Sequence, residues 1–201
     1  MPTIFRPTFG RVLCIGVWVV CLATVLLSIR SGIALVLDLL PWMLLASGAA
    51  WMIFWNPRVV VDDGGVHLVN LVRTIDVPWP AIQNVDTKWA LTLVTAYGTF
   101  TAWAAPAPGG LSTARRISRT DRNAIPSSAK DEYGAVRPGD LPDSPSGSAA
   151  MVVRRRWEEL RDAGWLDDPR LERDEVPVRW HWLTITIGAA LVVACAVTAL
   201  A

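Results

Sequence analysis

The 201-residue chain has two lysines, two histidines, and no cysteine outside its long apolar runs. Each shortage excludes something. Cys14, Cys21 and Cys195 all lie within apolar runs, so the polar part of the chain holds neither a disulfide framework nor a zinc ribbon. They read as small apolar filler in helices. With His67 and His181 as the only imidazoles, no His/Cys/Asp/Glu set has metal-ligand spacing. A basic surplus is also missing: Asn56–Arg179 holds sixteen Lys/Arg against seventeen Asp/Glu, a net of −1. A nucleic-acid module carries a basic excess that neutralises phosphates, so nucleic acid is set aside as a partner. No G-x-S-x-G, P-loop or strand-following G-x-G-x-x-G is present. His67 reads as a strand-surface residue. Asp62-Asp63 reads as turn chemistry, because Asp side chains bond the backbone of turns. No nucleophile lies beside a base, so the expectation is a non-enzyme with no catalytic residue, cofactor or metal.

What is present in quantity is apolar length. Val12–Ile29, Ile33–Trp55 and Leu183–Leu200 form three runs broken by a single acid, Asp38. Each is long enough to cross a hydrocarbon core of about 30 Å as a helix. The first follows Arg6 and Arg11 as a secretory signal would, but its end, Val25-Leu26-Leu27-Ser28-Ile29, lacks the small-residue pattern of a cleavage site. The second run begins after Arg30-Ser31-Gly32 alone. The expectation is a retained two-helix hairpin over 12–29 and 33–55, with a third span over 181–200.

Basic residues near span ends set orientation. Arg6, Arg11, Arg58, Arg170, Arg173 and Arg179 flank the N-terminus and the long polar segment, against Arg30 alone in the turn. Residues 1–11 and 56–179 are therefore expected in the cytoplasm of a bacterial cell membrane protein, with the C-terminus outside. Trp55, Trp180 and Trp182 stand at run ends, where an indole suits the headgroup zone. Trp42 and Trp51 are deeper and are expected to pack between helices. Asp38 lies five residues into its helix, with Pro41 close behind. It either snorkels to the interface or pairs with Arg30, or it marks an ion path.

The polar segment divides by composition. Residues 56–105 read as β-structure, with strands at Val59–Val61, Val66–Val72, Thr74–Trp79, Ile82–Trp89, Leu91–Tyr97 and Phe100–Ala104. Asp62-Asp63-Gly64-Gly65 is a strong turn signal, and Pro78 and Pro80 stop the third strand. Short strands at this spacing predict a small meander curled into a barrel or sandwich. Residues 106–148 are rich in Pro, Gly and Ser and read as a disordered linker. Within it, Arg115, Arg116, Arg119 and Arg122 either stay solvated or touch anionic headgroups. Over 149–164 an amphipathic helix is predicted, because Ala150, Val153, Trp157, Leu160 and Gly164 share one face. Its apolar face covers either the open side of the β unit or the membrane interface. Trp79, Trp89 and Trp103 are the conspicuous side chains of the β unit: core anchors, or the walls of a groove for a partner.

The run from Arg58 to Ala105 carries Asp62-Asp63-Gly64-Gly65-Val66, then Val77-Pro78-Trp79 with Ile82 and Val85, the alternation Leu91-Thr92-Leu93, and Thr101-Ala102-Trp103. Together with the preceding hairpin, residues 4–105 resemble the bacterial PH-like domains of actinobacterial membrane proteins, in the family of low molecular weight protein antigen 6. The resemblance implies a PH-like β-barrel of about seven strands closed by a C-terminal helix. Arg58 and Arg73 stand against Asp62, Asp63 and Asp76, which is too weak a cation site for phosphoinositides.

The fold class expected is thus membrane α plus β: a two-helix transmembrane hairpin, a small PH-like β-barrel, an amphipathic helix and a C-terminal transmembrane helix. The expected function is presentation of a cytoplasmic module that binds a protein or the membrane surface. The alternative is an accessory subunit of a membrane transport or channel complex. Partners expected are the lipid bilayer, a membrane or cytoplasmic protein, and a second copy of the chain. The arginine split makes the topology testable: a reporter inserted at Gly134 is expected to be active in the cytoplasm, and periplasmic activity would reverse the orientation.

Overall fold

The computed structural model describes residues 2–108, 144–166 and 174–200. Two compact units emerge, one built on the β-structure and one on the apolar helices.

In the β unit, strand β1 is Thr3–Phe5, β2 Arg58–Val61, β3 Gly65–Val69, β4 Arg73–Pro78, β5 Ile82–Asp86, β6 Ala90–Thr95, β7 Gly98–Pro106 and β8 Val178–Trp180. They form two sheets, β1-β2-β3-β4-β8 and β5-β6-β7. The register Val59↔Leu68, Val61↔Val66 and Leu68↔Ile75 points the apolar alternates of β2, β3 and β4 to one face. Those residues, with Val77, Trp79, Ile82, Val85, Leu91, Leu93 and Ala102, make one core.

Helix α3, Pro145–Asp162, packs on that core through Ala149, Ala150 and Val153, which are fully buried. It also caps an edge. Arg154 Nη2 donates to the Val85 carbonyl at 2.9 Å, and Trp157 Nε1 to that of Ile82 at 3.2 Å. Both carbonyls belong to β5, whose outer edge would otherwise be open. Trp157 and Leu160 add half-buried apolar surface. Of the two surfaces open to this helix, it covers the β unit.

The helix is delimited by strong local signals. Ser144 Oγ accepts from the Gly147 N–H at 2.9 Å, and Pro145 takes the first helical position. At the other end Gly164 adopts φ 77°. Its N–H and that of Trp165 reach the carbonyls of Arg161 and Leu160, a Schellman closure that favours glycine.

These observations move several boundaries. The helix begins four residues before the predicted Ala149, because Ser144-Pro145 is a start signal lost within a Pro/Ser-rich stretch. Pro106 ends strand β7, so the predicted linker over 106–148 is ordered at both ends, and residues 109–143 lie outside the described residues. Strands β1 and β8, three residues each, lie outside the stretches that the sequence predicts as β-structure. Each abuts an apolar run and is too short to show a period.

In the helical unit, α1 spans Thr8–Ser28, α2 Ile33–Ala50 and α4 Trp182–Leu200. A 3₁₀ turn, Ile29–Ser31, and Gly32 at φ 115° join α1 to α2. Pro41 lies inside α2, which continues through it. The predicted 33–55 span ends in a π-helical turn, Trp51–Trp55, closed by the Asn56 N–H on the Trp51 carbonyl. Trp18 clasps the hairpin: its Nε1 donates to the Ser47 carbonyl at 3.1 Å, and its ring lies 5.5 Å from that of Trp55. Arg11 stacks over Trp55 at 4.5 Å. Trp42 is 44 % exposed rather than packed between helices. Among the described residues, three helices are long and apolar enough to cross a membrane, by length and composition.

The β2–β3 turn is the tightest point of the sheet. A Cβ on Gly65 would run into the Val77 carbonyl and Cα of Pro78, whereas one on Gly64 would touch only the Asp62 side chain. Gly65→Ala is expected to cost about 2 kcal/mol. Gly64→Ala should stay within roughly 0.5 kcal/mol, as at other open surface sites. Thermal melts of the full chain in detergent separate the two; equal melts would refute the close approach.

Candidate functional site

The turn Asp62-Asp63-Gly64-Gly65 builds the most organised polar cluster of the β unit. Asp62 Oδ1 accepts from the Gly64 and Gly65 N–H groups at 2.9 and 3.1 Å. Its other oxygen meets His67 Nε2 at 2.9 Å. On the far side of the ring, His67 Nδ1 meets Asp76 Oδ1 at 2.6 Å. Antiparallel pairing puts His67 directly opposite Asp76, which explains the contact. Asp76 also takes a two-pronged contact from Arg179, Nε at 2.8 Å and Nη2 at 2.9 Å. The Asp76 N–H donates to the Pro177 carbonyl at 3.0 Å, so backbone and side chain together hold the segment entering β8.

Both ring contacts are hydrogen bonds only when both nitrogens carry protons, since a neutral imidazole has one N–H. A catalytic triad leaves one imidazole nitrogen for the nucleophile. Here both face carboxylates, so the cluster ties β3 to β4 and to the β2–β3 turn. Partial burial pushes both carboxyls up, yet both end below the ordinary carboxylate range. For Asp62 the Gly64 N–H, His67 and the Gly65 N–H outweigh burial. For Asp76, Arg179 and His67 do so. Arg179 is in turn raised, chiefly by its hydrogen bonds to Asp76. Among the described residues no group of three or more His, Cys, Asp or Glu side chains is arranged to hold a metal. This cluster was missed in sequence because the β3–β4 register that faces His67 to Asp76 is a property of pairing.

A groove of about 400 Å³ opens beside the cluster, lined by Thr3, Val61, Asp62, Asp63, Val152 and Arg156 among others. Arg156 spans it, reaching Asp63 at 2.8 Å and Glu159 at 3.2 Å, while Arg155 also binds Glu159 at 3.1 Å. The hydrogen bonds of Arg156 and Arg155 hold the Glu159 carboxyl below its ordinary range.

The three tryptophans singled out above do not share a groove. Trp79 is buried at 3 % exposure, and its Nε1 donates to the Asp62 carbonyl at 2.9 Å. It is a core anchor, which corrects its reading as a partner-binding residue. Trp89, beside Lys88 in the β5–β6 connection, is 81 % exposed. Trp103 is 55 % exposed on β7, where its N–H donates to Asn70 Oδ1 at 2.8 Å. Arg115, Arg116, Arg119 and Arg122 lie outside the described residues.

The depressed carboxyls set a pH dependence. A group whose folded value is lowered contributes stability above its unfolded value and loses it as pH falls through the folded one. Stability of the β unit should therefore fall as pH drops below the ordinary carboxylate range. Asp76→Asn should cost about 1 kcal/mol at neutral pH, discounted for the exposure of Arg179, and should flatten that acid slope. Urea midpoints measured across pH test this; a slope unchanged by the substitution would refute it.

Residues 56–139 match a family profile described as Bacterial PH domain, over less than half of the chain. No curated protein and no solved structure matches the chain. PH domains are generally non-catalytic interaction modules. Residues 56–139 are thus similar to a bacterial PH domain, in a chain that carries, among the described residues, three helices apolar enough to cross a membrane.

Proposed function

We propose that the chain is a multi-pass protein of the bacterial cell membrane whose PH-like module, on the cytoplasmic side, docks a protein partner without catalysis. The observation that carries this reading is the exposure of Trp89 and Trp103 on a unit whose buried polar groups are satisfied. Trp103 is half exposed on a strand and Trp89 nearly fully exposed at a connection. Exposed aromatics on a scaffold with a satisfied interior are the side chains that anchor interfaces. Three apolar helices in the same chain support tethering. Confinement to a thin layer raises the effective concentration of weak contacts. The arginine split supports the cytoplasmic side, and Arg115, Arg116, Arg119 and Arg122 would add headgroup contacts there. The resemblance of residues 4–105 to the low molecular weight protein antigen 6 family of actinobacteria, in which a two-helix hairpin precedes the PH-like domain, supports the tethered module. A second copy of the chain is one candidate partner.

The second reading, an accessory subunit of a transport or channel complex, is favoured by one observation: Asp38 is exposed on an apolar helix. Proximity labelling from the full-length chain in its own membrane decides between partners of the module and partners of the spans. Trp103→Ala should lower labelling of the leading cytoplasmic neighbour about tenfold, as loss of an anchor residue does, with an unchanged melting curve. A neighbour list that survives both Trp103→Ala and Trp89→Ala would overturn the docking role.

A further inference from the structure

Asp38 is the one acid in the three apolar helices, five residues after the start of α2. On a helix of 3.6 residues per turn, Leu35, Asp38, Trp42 and Ala46 fall on one stripe, and all four are exposed. Among the described residues neither Asp38 nor Trp42 has a hydrogen-bond, ion-pair or ring partner. Other polar groups of the spans behave differently. Thr24, Ser28, Thr186 and Thr198 return their hydroxyls to carbonyls of their own helices, and Trp18 donates to Ser47. A carboxylate facing lipid without a partner is among the costliest placements in a membrane helix.

We propose that this stripe of α2 docks a transmembrane helix of another protein that carries a lysine or arginine at the depth of Asp38. Charge complementarity selects the cation: a carboxyl group with no partner in its own chain is matched by a lysine or arginine at the same depth through charge-assisted hydrogen bonds. This chain's own spans cannot supply it. Val12–Ile29, Ile33–Trp55 and Leu183–Leu200 contain no lysine, arginine or histidine; the cations nearest them, Arg11 in the first turn of α1 and Arg30 in the turn between α1 and α2, stand at helix ends. Ala46, one turn beyond Trp42, lets a second backbone come close, as small residues do in membrane helix pairs. The inference rests on the membrane-spanning reading of the helices and not on what the PH-like module binds.

The test uses the full-length protein in phosphatidylcholine vesicles with a donor dye. The probes are acceptor-labelled Leu/Ala spans, one all-apolar and one with a single lysine about five residues from an end. Energy transfer to the lysine span should exceed that to the apolar span about tenfold at equal density. Asp38→Leu should abolish the preference. Asp38 is exposed, so the helical unit keeps its packing in this variant. A preference that persists in Asp38→Leu, or is absent from the native chain, overturns the inference. Transfer between copies of the chain, lost equally in Asp38→Leu and Arg30→Gln, overturns it in favour of a self-pair through the turn. Protein that an alkaline wash strips from the vesicles overturns the spanning reading and the inference with it. Protein that resists the wash and shows no preference overturns the inference alone.

Discussion

The fold of the β unit depends on closure by α3. Two short sheets bury too little apolar surface to offset the entropy of ordering their strands. Ala149, Ala150 and Val153 complete the core. In the same helix, Arg154 and Trp157 satisfy carbonyls of edge strand β5. One element thus removes both weaknesses of a small meander, an incomplete interior and an open edge. Small residues at the contact let the helix backbone lie close to the sheets, and the larger side chains at its margin reach over the edge.

Polar groups in this unit are matched with similar economy. Asp62 caps its own turn, its carbonyl takes the Trp79 indole, and its second oxygen meets His67. His67 continues to Asp76 and Asp76 to Arg179, so four charged or titratable side chains link the turn, β3, β4 and β8. Among the described residues no buried side-chain polar atom lacks a partner. A frame tied in this way leaves its interior closed and its exposed aromatic side chains as the chemically distinctive surface. Part of this frame lies within residues 56–139, the stretch similar to a bacterial PH domain.

The helical unit follows a different logic. In a bilayer the apolar effect does not hold helices to one another, so packing and interhelical hydrogen bonds must. The Trp18 clasp on Ser47 and the Arg11–Trp55 stack are contacts of this kind. Gly10 lies close against the Phe54 backbone, where a side chain would crowd the π turn. Asp38 stands apart as a polar group without an internal use.

By itself the sequence determined the large divisions. Three long apolar runs, broken only by Asp38, marked three helices by their length and composition. The turn residues Asp62-Asp63-Gly64-Gly65 and the alternation through Val59–Val61 and Leu91-Thr92-Leu93 marked strands by local chemistry alone. Gly164 marked the end of α3, because few other residues tolerate its backbone angle. Only the tertiary structure decided what depends on pairing between distant segments. Thr3–Phe5 becomes a strand because β2 offers an edge to it. Val178–Trp180 does so at the other side of the same sheet. His67 meets Asp76 because of register, and Trp79 goes inside while Trp89 and Trp103 stay out. Local signals act over a few residues, whereas which groups meet is set by how the sheets and α3 come together.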